Sequence, residues 1–109
     1  MNCKIHEECG VFGIFCRETS QVAKTAYYAL FALQHRGQES AGIVVNHDGV
    51  FSAYKDKGLV NDVFTSEILE KLGGGEIAIG HVRYSTTGLN QRENAQPIVI
   101  RHVKGGMAL

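Results

Sequence analysis

The chain lacks tryptophan, has a single proline and carries no excess charge, because eleven Lys and Arg residues balance eleven Asp and Glu. A protein that attracts nucleic acid or an anionic membrane needs a surplus of basic residues, so we expect neither partner. The longest nearly apolar run, residues 26–33, is far too short to span a bilayer. Residues 1–8 lack the apolar centre of a secretory signal. These absences predict a cytoplasmic protein.

Cysteine is also scarce, and its spacing gives no sign of a metal site or a disulfide framework. Cys3, Cys9 and Cys16 are an odd number, and their spacing matches none of the usual zinc motifs. Disulfide bonds are rare in the cytoplasm. The five histidines are scattered without ligand spacing. We therefore predict no metal ion, no cofactor and no disulfide bond within this chain.

The 109 residues, of which 44% are hydrophobic, suffice for one domain with a real core. Residues 11–16 read as a strand that is apolar on both faces, which is typical of burial on both sides. A helix is expected next, with Thr19 or Ser20 as its N-cap, an end near His35 and Gly37 as its C-cap. Small and apolar residues recur along it at helical spacing.

The second half of the chain contains a hairpin signal and further short elements. Asp48-Gly49 separates the apolar runs 41–46 and 50–55, which predicts two antiparallel strands. We expect a short helix over 61–72 capped by Asn61 or Thr65, a strand over 76–82, a long polar loop over 83–96 and a strand over 97–102. A turn at 105–106 then leads into another strand. This order predicts an α+β fold, an antiparallel sheet covered by helices.

Three polar clusters interrupt the apolar segments, at residues 8–10, 34–40 and 80–88. Each comes where a predicted strand or helix ends, which is where scaffolds present functional groups. The clusters contain a cysteine and two arginines. Arginine binds a carboxylate through two parallel hydrogen bonds, and a thiolate attacks an acyl carbon. The combination indicates a substrate with a carboxylate and an acyl group.

Cys9 has two readings on the sequence alone. Free cysteine is among the most buried residue types, so Cys9 could be an ordinary core residue. As a nucleophile it needs a base, which could be His35 or His81. If residues 1–8 were removed as a propeptide, the α-amino group of Cys9 would itself accept the thiol proton near neutral pH. The same thiol could then have cleaved the Glu8–Cys9 bond.

Three stretches carry a resemblance to a known family. They read Glu-Cys-Gly-Val-Phe-Gly-Ile over 8–14, Leu-Gln-His-Arg-Gly-Gln-Glu-Ser-Ala-Gly-Ile over 33–43, and Gly-His-Val-Arg-Tyr-Ser-Thr-Thr-Gly over 80–88. Residues 7–109 thereby resemble the glutaminase part of the glutamine phosphoribosylpyrophosphate amidotransferases, which are class II glutamine amidotransferases. The hexosamine-forming relatives would carry Tyr-Arg-Gly-Tyr-Asp, and asparagine synthetases Arg-Gly-Pro-Asp, in the second stretch.

The resemblance implies an N-terminal-nucleophile hydrolase fold, in which two facing antiparallel sheets lie between helical layers (αββα). It implies that residues 1–8 are a propeptide and that 9–109 are part of the amidotransferase domain. It also implies that Cys9 is the nucleophile and that Arg83 clamps the glutamine carboxylate. The other residues expected at the substrate are Tyr84, Ser85 and Thr86 of a closing loop, and Arg36 and Gly37 beside the nucleophile.

The family reaction hydrolyses L-glutamine to glutamate and ammonia, which reacts with phosphoribosylpyrophosphate to give 5-phosphoribosylamine in the first step of de novo purine biosynthesis. The phosphoribosyltransferase domain, the oxyanion-hole Asn-Gly pair and any Mg²⁺ or 4Fe–4S cluster are expected in sequence beyond Leu109, and the full-length protein is expected to be a homo-oligomer. A second hypothesis is therefore a catalytically incomplete fragment that binds glutamine or a partner subunit. A third is an α+β domain without a ligand.

Overall fold

The computed structural model describes residues 3–8, 10–34, 38–84, 97, 99–102 and 105–108. These residues form strands and helices in the order β1 (Cys3–Glu8), β2 (Val11–Ser20), α1 (Val22–Leu33), β3 (Gln38–His47), β4 (Val50–Lys57), α2 (Val60–Val63), α3 (Ser66–Leu72), β5 (Gly75–Tyr84), β6 (Val99–His102) and β7 (Gly105–Ala108). None of the helices in these ranges is long and apolar enough to cross a membrane.

The larger of two sheets has five strands in the order β1-β2-β5-β3-β4, and β6 pairs with β7 in a second sheet. Every pairing is antiparallel. The central strand of the five is β5, which pairs with β2 on one side and β3 on the other. The predicted α+β class, an antiparallel sheet with helices, is confirmed.

Side chains alternate across the larger sheet and give it two different faces. The face that we call the helix face carries buried residues that pack in one cluster with α1; they include Phe12, Ile14, Ile43, Val45, Ala78 and Val82. The other face, which we call the second face, carries Val11 and Phe15 of β2, and Phe15 is 40% exposed. The prediction that residues 11–16 are buried on both sides was therefore wrong.

Helix α1 packs its small residues onto the helix face of the sheet. Val22, Ala23, Ala26 and Leu30 are buried along one side of the helix, which confirms the predicted spacing. Burying a leucine completely is worth about 1.5–3 kcal/mol. Leu30 reaches so close to β5 that a Cβ atom added to Gly80 would lie 3.0 Å from its Cγ. Glycine at position 80 thus allows α1 to pack closely against the sheet.

Both predicted ends of α1 differ from the structure. Strand β2 continues through Ser20, and Gln21 occupies the N-cap position without a side-chain capping bond. Thr19 and Ser20 therefore belong to the strand, which pairs Ser20 with Gly75. The helix ends at Leu33, followed by extended backbone at Gln34. Gly37, the predicted C-cap, lies outside the described residues.

The predicted helix over 61–72 is two helices, α2 and α3, with a break at Phe64 and Thr65. Phe64 has an extended backbone and is 3% exposed. Its ring centroid lies 6.5 Å from that of Tyr27 and 6.1 Å from that of Tyr54, so the break buries an aromatic ring. Thr65 caps α3 by accepting a hydrogen bond from the Ile68 N–H at 3.3 Å. It is one of the two residues predicted as the cap.

The predicted hairpin between β3 and β4 is confirmed. Asp48 and Gly49 have φ values of 50° and 84°, the positive values that a two-residue turn of this kind requires. The Asn46 side chain accepts a hydrogen bond from the Gly49 N–H at 2.9 Å. Glu76 accepts one from the Asp48 N–H at 3.1 Å, which is the main cause of the lowered pKa of the Glu76 carboxyl. The turn is therefore fixed from both sides.

Strand β1 was not predicted, since residues 3–8 are too polar to suggest a core element. It pairs with β2 over six residues, from Cys3 opposite Cys16 to Glu8 opposite Val11. Cys16 is disulfide-bonded in this structure, which contradicts the prediction of no disulfide. The spacing of the cysteines along the chain does not reveal this, because a disulfide depends on which segments the fold brings together.

Strand β5 is longer than the predicted 76–82 and includes Arg83 and Tyr84, so these two residues do not belong to the predicted loop. The rest of that loop, 85–96, lies outside the described residues. Pro97 is buried and precedes β6, which begins only at Val99. Residues 105 and 106, predicted as a turn, are the first two residues of β7.

We expect Gly80→Ala to lower the free energy of unfolding by about 1–3 kcal/mol, because the new methyl group would overpack the buried Leu30. Gly13→Ala is the matched control on β2, where an added Cβ meets nothing within 4 Å. Urea denaturation of both variants measures the difference. Equal stability of the two variants would contradict the close helix–sheet contact.

Candidate functional site

The three polar clusters of the sequence converge at one end of the five-stranded sheet. Strand β2 begins there at Val11, which pairs with His81 of β5. Strand β3 also begins there at Gln38, which pairs with Tyr84 at the end of β5. The cluster at 8–10 therefore adjoins the start of β2, the cluster at 34–40 leads into β3, and the cluster at 80–88 contains the end of β5.

Several of the predicted site residues lie outside the described residues: Cys9, Arg36, Gly37, Ser85 and Thr86. The described residues next to them in the chain show which strands they adjoin. Gly10 is buried, has a φ of 81° and accepts a hydrogen bond from the Val82 N–H at 2.8 Å. The residue that follows Cys9 is thus bonded to the backbone of β5. The positive φ of Gly10 is a conformation that residues with a side chain rarely adopt.

Arg83 lies on β5 directly after Val82, the residue whose N–H donates to the Gly10 carbonyl. It pairs with Ser40 of β3 and is partly buried. Because side chains alternate along a strand, Arg83 and His81 lie on the same face of the sheet, and Ser40 shares that face as the residue directly opposite Arg83. This is the second face, away from α1. Tyr84, the other predicted substrate residue in the described part, is the last residue of β5.

His81 lies between two strands, opposite Val11 of β2 and Gly42 of β3. Burial lowers the pKa of the imidazole below its ordinary value of 6.5, and the positive charge of Arg83 lowers it further. The ring is therefore neutral at physiological pH. Its Nδ1 atom is buried without a hydrogen-bond partner. A buried polar atom of this kind is uncommon and calls for a physical explanation.

Ser40 is a site residue that the sequence did not single out. It is only 3% exposed, and its Oγ atom is buried without a hydrogen-bond partner. Its place within the cluster at 34–40 was the one available signal, because a serine at the start of a strand is otherwise unremarkable. Among the described residues, Ser40 Oγ and His81 Nδ1 are the buried side-chain polar atoms that lack a partner.

The chemistry available at this end of the sheet is anion binding beside a chain segment that carries a thiol. A guanidinium group binds a carboxylate through two parallel hydrogen bonds. The described residues contain no group of three or more His, Cys, Asp or Glu that could hold a metal ion. We derive no step through Mg²⁺ or an iron–sulfur cluster.

The lowered pKa of His81 predicts a loss of stability in acid. Below the ordinary histidine pKa of 6.5 the unfolded chain binds a proton that the folded chain binds only at lower pH, so the free energy of unfolding falls as the pH decreases. We expect this fall to be smaller in His81→Asn, whose side chain does not titrate. Urea denaturation at pH 7.5 and pH 5.5 compares the two proteins. An identical loss of stability in both would contradict the burial of a neutral imidazole.

Sequence comparison finds close relatives but no matching family model. The chain is 54% identical over 101 residues to an amidophosphoribosyltransferase of Methanocaldococcus jannaschii, covering 93% of this chain and 21% of that protein. It is 50% identical over 106 residues to an amidophosphoribosyltransferase of Synechocystis, covering 97% of this chain and 21% of that protein. The chain thus spans about a fifth of the length of these relatives.

Two solved structures share its fold. One is described as the allosteric regulatory enzyme of purine biosynthesis, with a TM-score of 0.79, 46% identity and coverage of 92% of this chain and 21% of that one. The other is a glutamine phosphoribosylpyrophosphate amidotransferase from B. subtilis, with a TM-score of 0.74, 44% identity and the same coverage. The expected fold class is thereby confirmed. Nearly the whole chain is homologous to the N-terminal domain of the amidophosphoribosyltransferases.

Proposed function

We propose that this chain is the glutamine-hydrolysing part of an amidophosphoribosyltransferase. The observation that carries the proposal is the convergence of the three polar clusters at one end of the sheet, where Arg83 lies beside the backbone bond between Val82 and Gly10. About 50% identity to amidophosphoribosyltransferases supports it. The substrate is L-glutamine, and its ammonia is passed on to phosphoribosylpyrophosphate.

Arg83 binds the α-carboxylate of glutamine in this proposal. Its position supports that role because β5 places it next to the segment that follows Cys9, so the two ends of one small substrate can be held at once. Tyr84, Ser85 and Thr86 follow Arg83 in the sequence and would close over the substrate. Arg36 and Gly37 precede Gln38, which pairs with Tyr84, and would line the same end of the sheet.

Cys9 is the nucleophile. Its α-amino group takes the thiol proton while Sγ bonds to the side-chain amide carbon of glutamine, which gives a tetrahedral oxyanion. The carbon–nitrogen bond then breaks, and the ammonium group returns the proton to the departing ammonia. Water hydrolyses the remaining γ-glutamyl thioester to glutamate and the free thiol. The oxyanion requires hydrogen-bond donors, and loss of one typically costs about a hundredfold or more in rate.

This chemistry requires removal of residues 1–8, because Cys9 has a free α-amino group only as the first residue. Strand β1 pairs with β2 over six residues, so a cleaved propeptide would still be held by that ladder. Cys16 is also disulfide-bonded. Reduction and denaturation are therefore needed before cleavage is judged.

Further parts of the proposal concern the reaction of the amidophosphoribosyltransferases as a whole. Ammonia reacts with phosphoribosylpyrophosphate to give 5-phosphoribosylamine, the first step of purine biosynthesis. We also propose a cytoplasmic location and a homo-oligomeric assembly. The alternative function, a catalytically incomplete fragment that binds glutamine or a partner, makes a different prediction for the reactivity of Cys9.

The first test is the intact mass of the reduced, denatured protein, with and without a diazo-ketone analogue of glutamine. We expect loss of residues 1–8 and one adduct, placed on Cys9 by peptide mapping. Cys9→Ala is expected to keep residues 1–8 and take up no analogue, while Cys16→Ala, the matched control, is labelled like the wild type. An uncleaved and unlabelled wild-type protein would contradict the catalytic proposal and favour the binding fragment.

The second test is Arg83→Lys. Lysine keeps the positive charge but loses the two parallel hydrogen bonds to the carboxylate, so we expect the KM for glutamine to rise roughly tenfold. Steady-state glutamine hydrolysis by the complete protein measures it. Lys24→Gln, on the exposed side of α1, is the control and should leave KM as it is. An unchanged KM in Arg83→Lys would rule out the carboxylate role of Arg83.

A further inference from the structure

Two polar atoms without partners flank Arg83. Ser40 is directly across from Arg83 on β3, and His81 precedes it by two residues on the same face of β5. Both Ser40 Oγ and His81 Nδ1 are buried. A buried polar atom without a partner destabilises the fold, so two such atoms on neighbours of one arginine call for an explanation that the fold itself does not give.

The hydrogen-bonding capacity of arginine offers an explanation. A guanidinium group has five N–H donors and no acceptor, and a carboxylate held in the parallel geometry takes two of them. Other N–H groups of the guanidinium can therefore donate to further acceptors while the carboxylate is bound. A serine hydroxyl accepts hydrogen bonds, and a neutral imidazole accepts one at its unprotonated nitrogen.

We propose that Ser40 and His81 are positioning residues that accept hydrogen bonds from the guanidinium group of Arg83 when it binds the carboxylate of glutamine. This proposal rests on the proposed function and adds two residues that act through Arg83 without touching the substrate. It also gives each unpaired atom a partner in the bound state. Loss of either acceptor leaves the guanidinium less firmly oriented, which weakens glutamine binding more than it slows the chemical step.

The neutral state of His81 is essential to this role, because a protonated imidazole has two donors and no acceptor. The low pKa of His81 keeps the acceptor available near neutral pH. Among the residues whose side chains the structure describes, the charged ones on this face are Arg83 on β5 and, two strands away, Lys55 and Lys57 of β4, which pair with Gly42 and Ser40. On the other side, the facing positions of β2 are Val11, Gly13 and Phe15, which do not titrate. Beyond β2, the titratable residues Glu8, His6 and Lys4 of β1 occupy the register positions opposite Val11, Gly13 and Phe15.

The test is the steady-state hydrolysis of glutamine by the complete protein between pH 5.5 and pH 8.5. We expect Ser40→Ala and His81→Leu each to raise the KM for glutamine about tenfold at pH 7.5, with kcat changed less than twofold. His81→Asn should recover most of the loss, because its amide oxygen lies close to the place of Nδ1. The wild-type KM should rise as His81 is protonated in acid, and this rise should be absent in His81→Asn.

Matched controls separate positioning from a general effect on the fold. Ser52→Ala on β4 and His47→Gln at the β3–β4 turn remove a serine and a histidine far from Arg83, and both should keep the wild-type KM at every pH. Unchanged KM in Ser40→Ala and His81→Leu would overturn the proposal, as would equal losses of kcat in His81→Leu and His81→Asn. A wild-type protein without glutaminase activity would overturn the proposed function itself, and the positioning role with it.

Discussion

The candidate site depends on the antiparallel pairing of β2 with β5. This ladder sets Val11 opposite His81 and continues one residue further, where the Val82 N–H donates to the Gly10 carbonyl at 2.8 Å. The bond fixes the residue after Cys9 against the strand that carries Arg83. Since a shift of one residue in the pairing would turn every side chain of the strand to the opposite face, the same register also decides that His81 and Arg83 point away from α1.

The two faces of the sheet have different roles: the helix face stabilises the fold, and the second face carries the candidate site residues. On the helix face, α1 packs against β5 through Leu30 and Gly80, and the apolar side chains there form one buried cluster. The second face carries Ser40, His81 and Arg83 near the ends of their strands. Because β5 is the central strand, both sets of contacts share its backbone. A rigid support on one face thus holds the polar groups on the other.

Patterns that depend on near neighbours were readable from the sequence. Asp48-Gly49 predicted the hairpin because only a few residue types adopt positive φ, and the spacing of Ala23, Ala26 and Leu30 predicted the buried side of α1. The polar clusters at strand ends indicated the site, and their amino-acid sequences carried the family resemblance. The break between α2 and α3 was not predicted, because burial of Phe64 against Tyr27 and Tyr54 overrides the local helix preference. Arg83 was predicted to lie in a loop because the polar residues around it give no sign that β5 continues to this point.

The sequence by itself determined the α+β class, the hairpin, the apolar side of α1 and the identity of Cys9 and Arg83 as candidates for chemistry, since these follow from residue type and local spacing. The tertiary structure alone decided which residues face one another. It paired Ser40 with Arg83, partly buried the imidazole of His81 and thereby lowered its pKa, and set residue 3 across from Cys16. The physical reason is that strand register and burial arise from contacts between segments far apart in the chain, which local pattern does not encode.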